Sequence, residues 1–123
     1  PASVNDMSML ALIESQGQRA LFTGDLSQDG EPQQIPDTDI LKVAHHGSDK
    51  GTSPRFLRAC TPEIAVISVG ENNYGHPGEQ TLDALADCGA KIYQTRQRGA
   101  IIMTFIGGQW RVETYLEAAD ELE

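Results

Sequence analysis

Two short apolar blocks constrain this chain more than any other feature. Ile40 to Ala44 and Ile64 to Val69 have the length and content of buried strands, and each stops at once against a loop of His, Gly, Ser, Asn or Pro. A helix signal follows each loop. Ser53-Pro54 supplies an N-cap and a first helical residue for a short helix ending near Cys60. Gly78 to Cys88 is amphipathic, with Leu82, Leu85 and Ala86 on one face and Gly89 as its stop. Upstream, Met7 to Glu14 and Arg19 to Thr23 read as a hairpin turning at Gln16-Gly17. Leu26 to Asp39 is polar and Pro-rich, a loop with at most a short helix. Downstream, Lys91 to Thr95, Ala100 to Phe105 and Trp110 to Tyr115 read as an antiparallel meander, joined by Gln97-Arg98-Gly99 and Gly107-Gly108. Strands alternating with helices predict an α/β layered fold, with buried central strands and the helices on one side.

The 123 residues suit one domain or part of one, and no apolar run approaches the ~20 residues of a membrane-spanning helix. No basic n-region followed by an apolar stretch opens the chain, so no signal peptide is read. The formal charge of −9 argues against a protein that coats nucleic acid by charge alone. That charge is uneven. Glu117, Asp120, Glu121 and Glu123 make residues 117–123 an acidic tail, expected to be disordered, after a domain over 1–116. Lys42, Lys50, Arg55 and Arg58 face only Asp49 in their stretch, and Lys91, Arg96, Arg98 and Arg111 occupy a stretch with no carboxylate. Cys60 and Cys88 form no Cys-x-x-Cys pair, which excludes a thiolate zinc knuckle and favours buried free thiols.

The three histidines of the chain, His45, His46 and His76, all fall in loops directly after predicted buried strands, as does Asp25. In α/β sheets, sites are built from the loops past the carboxyl ends of the strands. Carboxylate plus imidazole is a usual ligand set for zinc, manganese or iron. Taken singly, Asp25 also fits an Asx-turn, and each His a hydrogen-bonded loop residue. Other chemistries lack their motifs: no Gly-x-Ser-x-Gly elbow surrounds Ser48, and no phosphate loop begins at Gly70.

Asn5-Asp6-Met7-Ser8, Thr23-Gly24-Asp25 with Glu31, Leu41-Lys42-Val43-Ala44-His45-His46-Gly47-Ser48 and Thr52-Ser53 together resemble one family. So do Ile67-Ser68-Val69-Gly70, Asn73, Gly75-His76-Pro77, Thr95 and Gly99-Ala100. It is the metallo-β-lactamase-like domain at the end of ComEC proteins, the DNA-uptake channel of bacterial competence. The resemblance runs from Asn5 to about Tyr115, and the three His and Asp motifs in order make it specific.

The resemblance implies the second half of an αββα sandwich whose site holds two divalent ions, zinc or manganese. Asp25 takes the position of the carboxylate that bridges the ions, and His76 that of a ligand. Of His45 and His46, one would ligate metal or act as general acid, and the resemblance leaves open which. Lys50, Arg55, Arg96 and Arg98 would hold the DNA backbone. The superfamily's upstream His-x-His/Asp-x-Asp-His cluster has no counterpart in this chain. The expected partners are therefore the upstream half of the same domain, DNA, and the membrane channel. The expected activity is hydrolysis of a DNA strand during transformation, by an extramembrane domain of a bacterial inner-membrane protein, with the isolated chain inactive and binding metal weakly. Alternative readings are a metallohydrolase of a small ester or lactone, and a catalytically silent module contacting DNA or a partner.

Overall fold

A computed structural model describes residues 8–116. A mixed five-stranded sheet runs β1 (Ala11–Ser15), β2 (Gln18–Phe22), β3 (Ile40–Lys42), β4 (Ile64–Ile67), β5 (Lys91–Gln94), in that spatial order. β1 and β2 form the expected antiparallel hairpin; β2 through β5 are parallel. The register sorts the side chains by parity. Leu21, Leu41, Ala65 and Ile92 are aligned across the sheet on one face, and Ala20, Ile40 and Ile64 on the other.

On the first face lie α1 (Pro54–Cys60) and α2 (Glu79–Asp87), as the alternation of elements predicts. Phe56, Leu57, Cys60 and Leu85 pack onto Leu21, Leu41, Val43, Ala65 and Ile67. Burying side chains of this size stabilises by ~1.5–3 kcal/mol each for the larger ones. Ser53 caps α1 as expected, its Oγ accepting from Phe56 N–H at 3.1 Å, with Pro54 as the first helical residue. The inward residues of α2 are Thr81 and Leu85, flanked by Leu82, Ala84 and Cys88; Ala86 is exposed, so the apolar stripe is rotated from the expected one. Both cysteines are free thiols, Cys60 fully buried and Cys88 half-buried. Burial pushes the Cys60 thiol above its ordinary pKa, and a hydrogen bond with Thr38 works against that shift.

The opposite face is covered by β6 (Ile101–Ile106) and β7 (Gln109–Thr114), a separate two-stranded antiparallel sheet. Ile101, Met103, Trp110 and Val112 pack against Ile40, Ile64 and Tyr93. The expected three-stranded meander is corrected here. Of these three strands only β6 and β7 pair with each other, antiparallel and turning at Gly107-Gly108, both with positive φ. β5 returns through the α2 crossover and therefore pairs parallel with β4. After it Thr95–Arg98 forms one helical turn, α3, and Gly99 (φ 67°) redirects the chain into the other layer. The layers are helices, sheet and hairpin. The predicted tail at 117–123 lies outside the described residues.

Candidate metal-binding and nucleic-acid site

Parallel pairing sends the carboxyl ends of β2, β3, β4 and β5 to one edge, and the backbone there is stitched together. Thr23 Oγ1 donates to Lys42 O (2.6 Å), and Val43 N–H donates to Val66 O (2.9 Å). Thr95 Oγ1 accepts from Val69 N–H (2.9 Å) and donates to Val69 O (3.0 Å). The loops carrying Asp25, His45, His46 and His76 all leave from this edge.

Ala44–Gly47 is a tight turn in which His45 (φ 52°) and His46 (φ 54°) are consecutively left-handed. Left-handed geometry costs about 1–2 kcal/mol per non-glycine residue, so neighbours must impose it. They do so from three sides: His45 N–H donates to Gly24 O (2.8 Å), Ser48 N–H to His45 O (2.9 Å), and Gly78 N–H to Gly47 O (2.9 Å). Gly47 has φ +80°, and a Cβ there would stand 2.6 Å from Pro77 Cβ. Asp49 completes the seam. Its Oδ1 accepts from Thr81 N–H (3.0 Å), capping α2 from another loop, and a Cβ at Gly78 would overlap this carboxylate. The seam holds the His76 loop against the His45-His46 turn.

The three imidazoles consequently meet. The His45 ring centroid lies 5.8 Å from that of His76 and 6.4 Å from that of His46. An imidazole centroid sits roughly 3.2 Å from an ion ligated at about 2.0–2.1 Å, so two rings on one ion have centroids within roughly 6.4 Å. His45 and His76 satisfy that limit with room; His45 and His46 stand at it. His45 Nδ1 is buried without a hydrogen-bond partner among the described residues. His46 differs. It is exposed, and its Nδ1 lies 2.7 Å from Ser68 O. A carbonyl only accepts, so Nδ1 carries a proton, and in the neutral tautomer the lone pair is on Nε2.

Asp25 is exposed, one residue past the Gly24 carbonyl that holds His45 N–H, so its backbone adjoins the His45 turn. Its charge acts on the half-buried Lys42 ammonium: burial lowers that pKa, and Asp25 partly restores it. Among the described residues, no three His, Cys, Asp or Glu side chains are grouped to hold one ion. The rings of His45 and His76 approach each other, and the Asp25 carboxylate is not grouped with them.

The basic residues diverge. Arg96 is exposed beside the histidines, its Nη1 donating to His76 O at 3.4 Å. Arg98 lies over the Tyr93 ring on the hairpin side, 5.4 Å from its centroid. Arg55 is tied to Pro32 O (3.1 Å) and Glu31 (3.6 Å), and Lys50 is exposed on the turn after Ser48. The roles of three residues of this region emerge only from the structure. The Glu31 side chain is 3% exposed and accepts from Ser53 N–H (2.9 Å) and Ser53 Oγ, fixing the start of α1. Asn72 Oδ1 accepts from Tyr74 N–H and His76 N–H, and its Nδ2 donates to His76 O. Tyr74 stacks on His76. An Asn four residues before a site His is the one cue that could have marked the Asn72 latch.

No protein-family model matches the chain. It is 37% identical over 107 residues to ComE operon protein 3 of Bacillus subtilis, a match covering 82% of this chain and 14% of that protein. It is 34% identical over 104 residues to Competence protein ComA of Neisseria gonorrhoeae, covering 79% and 15%. It is 29% identical over 115 residues to Recombination protein 2 of Haemophilus influenzae, covering 90% and 14%. These relatives support a competence-related family, and the chain spans about a seventh of their length.

Proposed function

We propose that this chain is the carboxy-terminal part of a metal-dependent hydrolase domain of the metallo-β-lactamase-like type, which cuts DNA strands during competence uptake. The observation that carries the reading is the buried, unpartnered His45 Nδ1 beside the His76 ring, at the strand-end edge of a sheet. The competence relatives supply the biological setting. The helix, sheet and hairpin layers are what the second half of an αββα sandwich would contribute, and an upstream half would bring the remaining ligands. No helix among the described residues is long and apolar enough to cross a membrane.

In this reading His45 and His76 would hold the metal, with Asp25 from the adjoining turn. Bound divalent ions supply a deprotonated water near neutral pH and neutralise the phosphate oxygens. His46, its Nδ1–H donated to Ser68 O, would have Nε2 available to accept or pass a proton. Arg96 holds a phosphate beside His76 and so positions the strand. Asp49 and Gly47 act only through the seam that sets the His45 to His76 distance.

The test is cleavage of labelled single-stranded and duplex DNA by the longer protein that carries this segment, with manganese or zinc at fixed salt. Cleavage is expected, lost in Asp25→Asn and His76→Ala, while Arg96→Ala weakens binding more than the chemical step. A fully metallated protein that cuts neither substrate but opens a lactone overturns the DNA reading.

A further inference from the structure

Tyr74 is 83% exposed, yet its backbone is tied into the loop and its ring stacks on His76. Its N–H donates to Asn72 Oδ1 (3.0 Å), and the same oxygen accepts from His76 N–H (3.1 Å). Asn72 Nδ2 donates to His76 O (2.9 Å) and Gly70 O (3.0 Å), and Gly75 (φ 78°) makes the turn between the two rings. The Tyr74 ring lies 5.8 Å from the His76 ring at an interplanar angle of 27°. One face is thus turned to a site imidazole and the other is open to water. Tyr74 also lines a shallow cavity of about 200 Å³ with His46, Val69, Glu71, Asn72 and His76.

We infer that Tyr74 is a base-stacking platform, and that the site takes a single DNA strand whose unpaired base lies on the open face of this ring; this rests on the nuclease reading. An aromatic face binds every base and contributes roughly five- to 150-fold in affinity per stacked base. The cavity suits a neutral base better than a phosphate, because Val69 and the rings are apolar there and the Glu71 carboxylate repels an anion. The phosphate goes instead to the His76 and Arg96 side of the loop, where the guanidinium bonds the His76 carbonyl. In a duplex both faces of a base are already stacked, so it must be extruded before Tyr74 can meet it. Tyr115 is equally exposed but packs beside Gly99 and the hairpin, which makes it the control.

The experiment is metal-free binding by the full chain, read by fluorescence anisotropy at fixed salt. The probes are an oligothymidylate strand, the same strand with abasic sites, and a duplex. Wild type is expected to bind the base-bearing strand tightest. Tyr74→Ala should weaken that strand by roughly five- to 150-fold and leave the abasic strand unchanged. Tyr74→Phe should stay within about twofold of wild type because it keeps the π face. Tyr115→Ala should change nothing. Equal affinity of wild type for base-bearing and abasic strands overturns the inference, and so does a Tyr74→Ala loss shared by both strands. Binding is read without cleavage, so the two readings fail separately. A strand that stacks on Tyr74 in a protein that cuts no DNA sinks the nuclease alone. Cleavage and binding indifferent to Tyr74→Ala sink the platform alone.

Discussion

Gly47→Ala should cost more than its backbone conformation explains. Gly47 has φ +80°, and alanine in that region costs about 1–2 kcal/mol. The new Cβ would also stand 2.6 Å from Pro77 Cβ, 3.1 Å from Pro77 Cα and 3.3 Å from Ile67 Cγ2. Two of these belong to a ring and backbone that cannot swing aside, so relief requires displacing Pro77 from the turn. Overpacking of this kind adds about 1–3 kcal/mol. The sum is about 2–5 kcal/mol, a large share of the ~5–15 kcal/mol that holds a domain folded. Gly108→Ala isolates the conformational part: φ is +79° and nothing lies within 4 Å of the added Cβ. It should lose only about 1–2 kcal/mol. The assay is urea unfolding followed by the single tryptophan, Trp110, which is half-buried and hydrogen-bonded to Gln18. A Gly47→Ala loss no greater than that of Gly108→Ala would refute the claim that the two site loops are in hard contact.

Asp49→Ala should lose ~1–2 kcal/mol in the same assay, because Thr81 N–H and the α2 amino terminus lose their acceptor. Ser53→Ala should lose at least as much, since it removes the α1 cap and leaves the buried Glu31 carboxylate short of a donor. Cys60 gives a pH dependence whose sign is fixed. Its folded pKa is raised, so as pH passes the ordinary thiol value near 9 the unfolded chain loses protons that the folded chain keeps. Stability contributed by Cys60 is therefore complete below that value and declines above it, and the unfolding midpoint should fall more steeply there in wild type than in Cys60→Ala. Thiol labelling in native buffer should modify Cys88 well before Cys60.

Most of the sheet was legible because its signals were local. Apolar runs stopping at Gly24, at His45-His46-Gly47 and at Gly70 marked β2, β3 and β4, and Ser53-Pro54 and Gly89 marked helix ends. The final strands were misgrouped because three strand-like runs with short polar connections look alike to a local reading. The partner of β5 is decided by the α2 crossover, a nonlocal fact; a strand–helix–strand succession was the available cue for parallel pairing. Strand-end placement brought Asp25, His45, His46 and His76 to one edge; the histidine rings lie near one another there, while no three ligating side chains, Asp25 included, are grouped among the described residues. The way the histidine loops are held together was not legible. Asp49 reads as a lone acid in a basic stretch, yet it caps a helix 30 residues on. Arg55 reads as a free cation, yet it pairs with a glutamate whose burial no local pattern announces.

The most direct test of the account is a long-range proton–nitrogen spectrum of the histidine rings in the longer protein, before and after zinc is added. The account predicts that the ring nitrogens of His45 and His76 shift together at one saturation point, while His46 retains its protonated Nδ1 against Ser68 O. Saturating zinc that leaves His45 and His76 unshifted would contradict it.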